Sequence, residues 1–275
     1  MTLRIIDTFS GIGGFSLAAR WLGGFQTVQF VEWEPYCQRI LAKNFPGIPI
    51  HGDITTFYPT EGAADVICGG FPCQDISIAG KQEGIKTGTR SGLYYQLIRV
   101  IRAIRPRYVV LENVAAITSN GLGTVLGELA AAGFDAEWAC IPASDVGACH
   151  RRDRWWLVAY TNSHDSQARD HQLQQQRDAI TGCVRVAPDS NSQRQQKQHA
   201  TAIADPTGWS RWSHASRSLD PDWRSYATQP LLPRGDDGIP NRVDRIKALG
   251  NAVVPQVAMI PLQRVLDLQI GRAHV

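Results

Sequence analysis

Methionine is scarce in this chain, with two residues in 275, and charge is sparse as well, at 19% of residues with a net value of only +3. A balance this close to neutral gives no general polyanion-binding surface, so a nucleic-acid partner would have to be met by a local basic face. Long apolar runs are missing, and with them any segment able to span a bilayer. The N-terminus lacks the order of charged, apolar and small residues that marks a secretion signal, so a cytoplasmic protein with reduced thiols is expected. Six cysteines (Cys37, Cys68, Cys73, Cys140, Cys149 and Cys183) show neither the paired spacing of zinc sites nor a disulfide framework. No metal is therefore expected. Also absent is a glycine turn ending in Gly-Lys-Ser/Thr, which argues against a nucleoside triphosphate.

What is present is an ordinary globular composition, 43% hydrophobic, cast in strand–helix units over residues 1–158. Strands are predicted at Leu3–Asp7, Thr27–Glu32, Val66–Cys68, Tyr108–Leu111, Ala136–Ile141 and Trp155–Ala159. Helices are predicted through Phe15–Trp21, from Pro35, over Leu93–Ile104 and over Gly123–Ala132. Repeated units of this kind predict an α/β fold with a largely parallel sheet and right-handed crossovers. After Tyr160 the chain turns polar, with Gln174-Gln175-Gln176 and Gln195-Gln196, and few aliphatics until Trp209, Trp212 and Trp223. Such a stretch buries little apolar surface and reads as loop-rich. Helices resume at Arg242–Leu249 and after Pro255.

Three places carry chemistry. Asp65-Val66-Ile67-Cys68 runs into Gly69-Gly70-Phe71-Pro72-Cys73-Gln74, which puts Cys73 behind a rigid proline at the end of a buried strand. Ligands of open α/β sheets bind at that edge, so Cys73 reads as a nucleophile rather than a small core residue. Asp7-Thr8-Phe9-Ser10-Gly11-Ile12-Gly13-Gly14-Phe15 follows the first strand and opens a helix, where glycines let backbone approach a ligand. Glu32, at the end of the next strand, is placed to take ribose hydroxyls, and Asp53 to accept from an adenine amino group. Together they fit an adenosine ligand without a polyphosphate.

In order along the chain, Asp7–Phe15, Glu32-Trp33, Asp53-Ile54, Pro72-Cys73-Gln74, Glu112-Asn113-Val114, His150-Arg151-Arg152-Asp153-Arg154 and Gly250-Asn251-Ala252-Val253 match signature segments. On these segments the chain resembles the DNA (cytosine-5)-methyltransferase family. The resemblance implies a Rossmann-like S-adenosylmethionine-dependent methyltransferase sheet with a small target-recognition domain. It implies methyl transfer from S-adenosyl-L-methionine to carbon 5 of a flipped cytosine in double-stranded DNA, through a covalent adduct with Cys73. Glu112 would hold and protonate the ring nitrogen, and Arg152 and Arg154 match the family's Arg-x-Arg segment, the first holding the cytosine carbonyl. Phe9, Gly11, Gly13, Gly14, Glu32, Trp33, Asp53, Ile54, Pro72, Leu93, Asn251 and Val253 would surround the cofactor.

On this resemblance, residues 1–159 form the catalytic and cofactor-binding domain and 160–235 the recognition region. Residues 236–269 return to the catalytic domain, and 270–275 read as a tail foreign to the native chain. The glycine-rich, basic stretch Ile76–Ser91 would close over the flipped base. Two features depart from the family pattern: His150 stands where glutamine is usual, and Arg234–Arg242 lacks the usual arginine segment that ends the recognition region. A monomer is expected, without membrane contact, and a restriction endonuclease is a possible separate companion. Methylation of transfer RNA, and a catalytically inactive DNA-binding regulator, are the alternative functions.

Overall fold

The computed structural model describes residues 2–72, 92–161 and 242–273. Cys73, the stretch Ile76–Ser91 and almost all of the polar region after Tyr160 lie outside the described residues.

Seven strands, β1 (Leu3–Thr8), β2 (Phe25–Val31), β3 (Ile50–His51), β4 (Val66–Gly69), β5 (Tyr108–Val114), β6 (Phe134–Pro142) and β7 (Asp153–Thr161), form one sheet ordered β3-β2-β1-β4-β5-β7-β6. The first five are parallel to one another, as the strand–helix alternation predicts. β7 runs antiparallel to both β5 and β6. It enters the sheet between them through a hairpin, so the last strand of the chain's first part is not the edge.

The helices are α1 (Gly14–Leu22), α2 (Pro35–Asn44), α3 (Leu93–Ile104), the single turn α4 (Ile117–Asn120), α5 (Leu122–Ala131), α6 (Arg242–Asn251) and α7 (Pro255–Ala273). Pro35 occupies the first turn of α2, where its missing N–H has no partner to lose. α3 buries Leu97, Ile98, Val100, Ile101 and Ile104, the helical spacing of a core-facing stripe. That stripe packs with Ile6, Ile67, Val109, Leu111 and Trp155 on one face of the sheet. Alternate residues of the same strands, Ile5, Val66, Val110, Trp156 and Val158, pack on the other face with Phe15 and Ala18 of α1 and Val257 and Val265 of α7. Because both faces are covered, the central strands are apolar throughout rather than alternating. Ile270–Ala273, read from sequence as foreign, continue α7.

From β1 the chain builds outward through β2 and β3, then returns to place β4 on the other side of β1. Order therefore reverses between β1 and β4, and a crevice opens beyond their carboxyl ends. Phe9–Gly14 and Gly69–Pro72 line that crevice.

Candidate active site

The turn after β1 is tightly coiled. Phe9 takes a left-handed φ of 51°, rare for a residue with a side chain, and Gly13 takes 89° just ahead of α1. The two glycines at the helix start are also sterically required. A β-carbon on Gly13 would lie 2.6 Å from the Phe45 ring, and one on Gly14 would lie 2.7 Å from the Val253 carbonyl oxygen. Glu32, just past β2, is buried, and both its oxygens accept backbone amides, Oε2 from Gly11 and Oε1 from Glu34, each at 2.7 Å. Burial raises its pKa, opposed by those two amide bonds. A carboxylate has about four acceptor sites, so room remains for vicinal hydroxyls. Beside it the Trp33 ring is 72% exposed.

Asp53 caps the short helical turn Ile54–Thr56, its Oδ1 accepting the Thr55 amide at 2.8 Å. Arg99 of α3 holds the same turn from behind, donating to the carbonyls of Ile54 at 2.6 Å and Phe57 at 2.9 Å. Sequence reasoning missed Arg99, because an arginine on a helix face reads as a solvated charge. The acid, the indole and the capped aspartate thus line one edge of the sheet with the chemistry an adenosine would need.

The second half of the crevice lies between β4, β5 and β7. Glu112 stands in β5 directly opposite Trp156 of β7, and Arg154 lies one step nearer the strand end on the same face. Arg154 Nε meets Glu112 Oε1 at 3.0 Å, and both side chains are largely buried. Burial raises the Glu112 pKa to about 6, while the Arg154 and Arg152 charges hold it down. A small recess opens here, lined by Glu112, Arg152, Arg154, Trp156, Val254 and Val257 among others. Arg152, with a left-handed φ of 36°, turns its guanidinium to the chain's last third: Nη1 donates to the Gly250 carbonyl at 2.9 Å and Nη2 to Ala252 at 2.8 Å.

Asn113, between Glu112 and Val114, donates from Nδ2 to the Phe71 carbonyl at 3.1 Å. It ties the end of β5 to the residue before Pro72 and so sets where the chain leaves toward Cys73. Phe71 itself is buried against Tyr94. Leu93 begins α3 and is partly buried against the core. Asn251 ends α6 and is exposed. The structure therefore gathers Glu112, Arg152 and Arg154 in one recess, sets Phe9–Gly14, Glu32 and Trp33 beside it, and puts Asp53 and Ile54 farther along the same edge.

A family model described as C-5 cytosine-specific DNA methylase matches residues 3–216. Type II methyltransferase M.HhaI of Haemophilus parahaemolyticus is 34% identical over 165 residues, covering 58% of this chain and 50% of that protein. Type II methyltransferase M.HpaII of Haemophilus parainfluenzae is 36% identical over 169 residues, covering 58% and 46%. The crystal structure of a putative DNA modification methyltransferase from an E. coli prophage superposes with a TM-score of 0.47 at 27% identity, covering 60% of this chain and 48% of that one. The chain spans about half the length of the curated relatives it matches.

Proposed function

The chain belongs to the C-5 cytosine-specific DNA methylase family, and from that premise we propose that it methylates carbon 5 of cytosine in double-stranded DNA. The observation that carries the reading is the pairing of Glu112, with its pKa raised to about 6, and Arg154 in a recess beside the strand that leads into Pro72 and Cys73. A carboxyl group poised near neutrality can hand a proton to a ring nitrogen, and a guanidinium beside it can meet a ring carbonyl.

Cytosine carbon 5 is a poor nucleophile until the ring is activated. The Cys73 thiolate adds to carbon 6, forming a carbon–sulfur bond and pushing an electron pair toward the ring nitrogen, which Glu112 protonates. The ion pair puts Arg154 nearest the position of the developing charge, and we assign it the carbonyl contact. S-adenosyl-L-methionine, when bound, would supply an electrophilic methyl group to carbon 5 and leave as S-adenosyl-L-homocysteine. Loss of the carbon 5 proton to solvent and return of the ring-nitrogen proton to Glu112 then restore the 5,6 double bond and expel the Cys73 thiolate. Glu32 fits the ribose hydroxyls and the exposed Trp33 face an adenine ring; Asp53 is left to accept from the adenine amino group. A target base reaches the recess only by leaving the duplex.

Labelled methyl transfer to DNA, to transfer RNA or to neither separates this reading from its alternatives. DNA carrying 5-fluorocytosine should trap the protein covalently, since fluorine blocks the final elimination, and Cys73→Ser should abolish both trapping and turnover. Trapping that persists in Cys73→Ser would overturn the nucleophile. We further propose that residues 160–235 choose the target sequence. They contain eight arginines and no glutamate, and arginine is the commonest reader of guanine edges. Exchange with the corresponding region of a relative should transfer that relative's methylation site.

A further inference from the structure

The recess and the cofactor turn are joined by one stretch of chain, α6 and the four residues after it. At its near end Lys247 Nζ meets Glu34 Oε2 at 2.7 Å, next to the amide that Glu34 gives to Glu32. At its far end the Val253 carbonyl packs so closely on Gly14 that no β-carbon fits between them. Between these contacts α6 ends, and the last carbonyls of a helix have no partner within it. Arg152 supplies that partner, its guanidinium fork taking the carbonyls of Gly250 and Ala252 together, with its charge at the negative end of the helix dipole. Lys247 is exposed and its pair contributes little. The guanidinium fork is therefore the chief polar tether of this turn. The left-handed φ of Arg152 is one that a non-glycine residue keeps only where surrounding contacts enforce it.

We propose that Arg152 is a positioning residue: by holding the Gly250–Val253 turn it sets that turn against Gly14, and so fixes the cofactor-binding turn from the base-side recess. The assignment rests on the methyl-transfer reading above, in which Arg154 takes the carbonyl contact, and gives Arg152 a duty away from the base. Arg152 and Arg154 then have separable duties, although only one residue lies between them. Arg154 serves the ring beside Glu112; Arg152 serves cofactor affinity.

Calorimetric binding of S-adenosyl-L-homocysteine to the full chain tests this without turnover. Arg152→Met should weaken binding by about tenfold or more, as expected for loss of charge-assisted bonds. Arg152→Lys should recover only part of the loss, because an ammonium cannot span both carbonyls with the guanidinium's fixed fork. Arg154→Met should bind as the unaltered chain does while losing turnover. Gly14→Ala should weaken binding from the opposite side of the same contact, and combining it with Arg152→Met should cost less than the sum of the two. Circular dichroism checks each fold; if Arg152→Met does not fold, Arg152→Lys and the Gly14→Ala combination with it decide. Unchanged affinity in a folded Arg152 variant, or an equal loss in Arg154→Met, would overturn the assignment. Failure of the unaltered chain to bind would instead overturn the methyl-transfer reading.

Discussion

A β-carbon on Gly70 would lie 3.0 Å from Glu112 Oε2, so a side chain three residues before Cys73 would make that carboxylate give way by a few tenths of an ångström. Gly70 has no left-handed φ, so its backbone accepts alanine without strain. The effect of a methyl group there should fall on the carboxylate alone. Gly70→Ala should push Glu112 off its line to the ring and cut turnover by ~10–100-fold, the scale of a misplaced catalytic group. Affinity for S-adenosyl-L-homocysteine should not change. Equal turnover in Gly70→Ala would show that Glu112 does not need its observed position.

Glu112 must be protonated to act as the acid, and its pKa is raised from 4.5 to about 6. Its acid form therefore declines as pH rises through about 6, while Cys73 needs the higher pH to ionise. Adduct formation with 5-fluorocytosine DNA should show two opposed limbs. Arg154 is the chief cation holding the Glu112 pKa down, so removing it favours the acid form. Arg154→Met should shift the Glu112 limb to higher pH even as the rate falls. A limb that stays in place, or moves down, would separate that limb from Glu112.

Much of this was legible in the chain because it is local. A glycine turn after an apolar strand, an acid at the next strand end and a proline before Cys73 each carry their chemistry within a few residues. The paired register was not legible. Apolar strands buried on both faces look alike in either direction, so nothing in Trp155–Ala159 marks β7 as antiparallel and inserted between β5 and β6. The family resemblance makes Arg152 a base contact, and its carbonyl partners, 98 and 100 residues away, are visible only in the fold. Gly70 beside Gly69 reads as turn chemistry, and its steric role appears only when β5 brings Glu112 alongside.

Glu32 and Asp53 look equivalent in sequence and should not behave equally. Glu32 bridges the amides of Gly11 and Glu34, so Glu32→Ala removes both a ribose acceptor and a brace of the cofactor turn. Asp53 braces only its own turn, which Arg99 also holds. Each loss should weaken S-adenosyl-L-homocysteine binding by about tenfold, from ~1.4 kcal/mol per decade and the usual worth of a charged hydrogen bond. The Glu32 effect should be the larger. Calorimetry on the two folded variants decides, and a larger loss in Asp53→Ala would reverse their roles.

Asp7 offers a prediction about stability. It is buried on β1, where Oδ2 accepts Ser16 Oγ at 2.7 Å and Oδ1 has no partner among the described residues. Burial raises its pKa from 3.8 to about 7, the Ser16 bonds oppose this, and Glu32 adds to it. Between those two values the folded chain keeps a proton that the unfolded chain has released, so stability must fall as pH rises through that window. The full shift corresponds to about 4 kcal/mol, at ~1.36 kcal/mol per pKa unit. Glu112 acts in the same direction between 4.5 and about 6. Thermal unfolding should therefore show a midpoint that drops from about pH 4 to about pH 7. Asp7→Asn removes the larger of the two titrations, and its midpoint should vary much less across the same range. An equally steep dependence in Asp7→Asn would mean that Asp7 is ionised throughout, and that Oδ1 finds a compensating donor in solution.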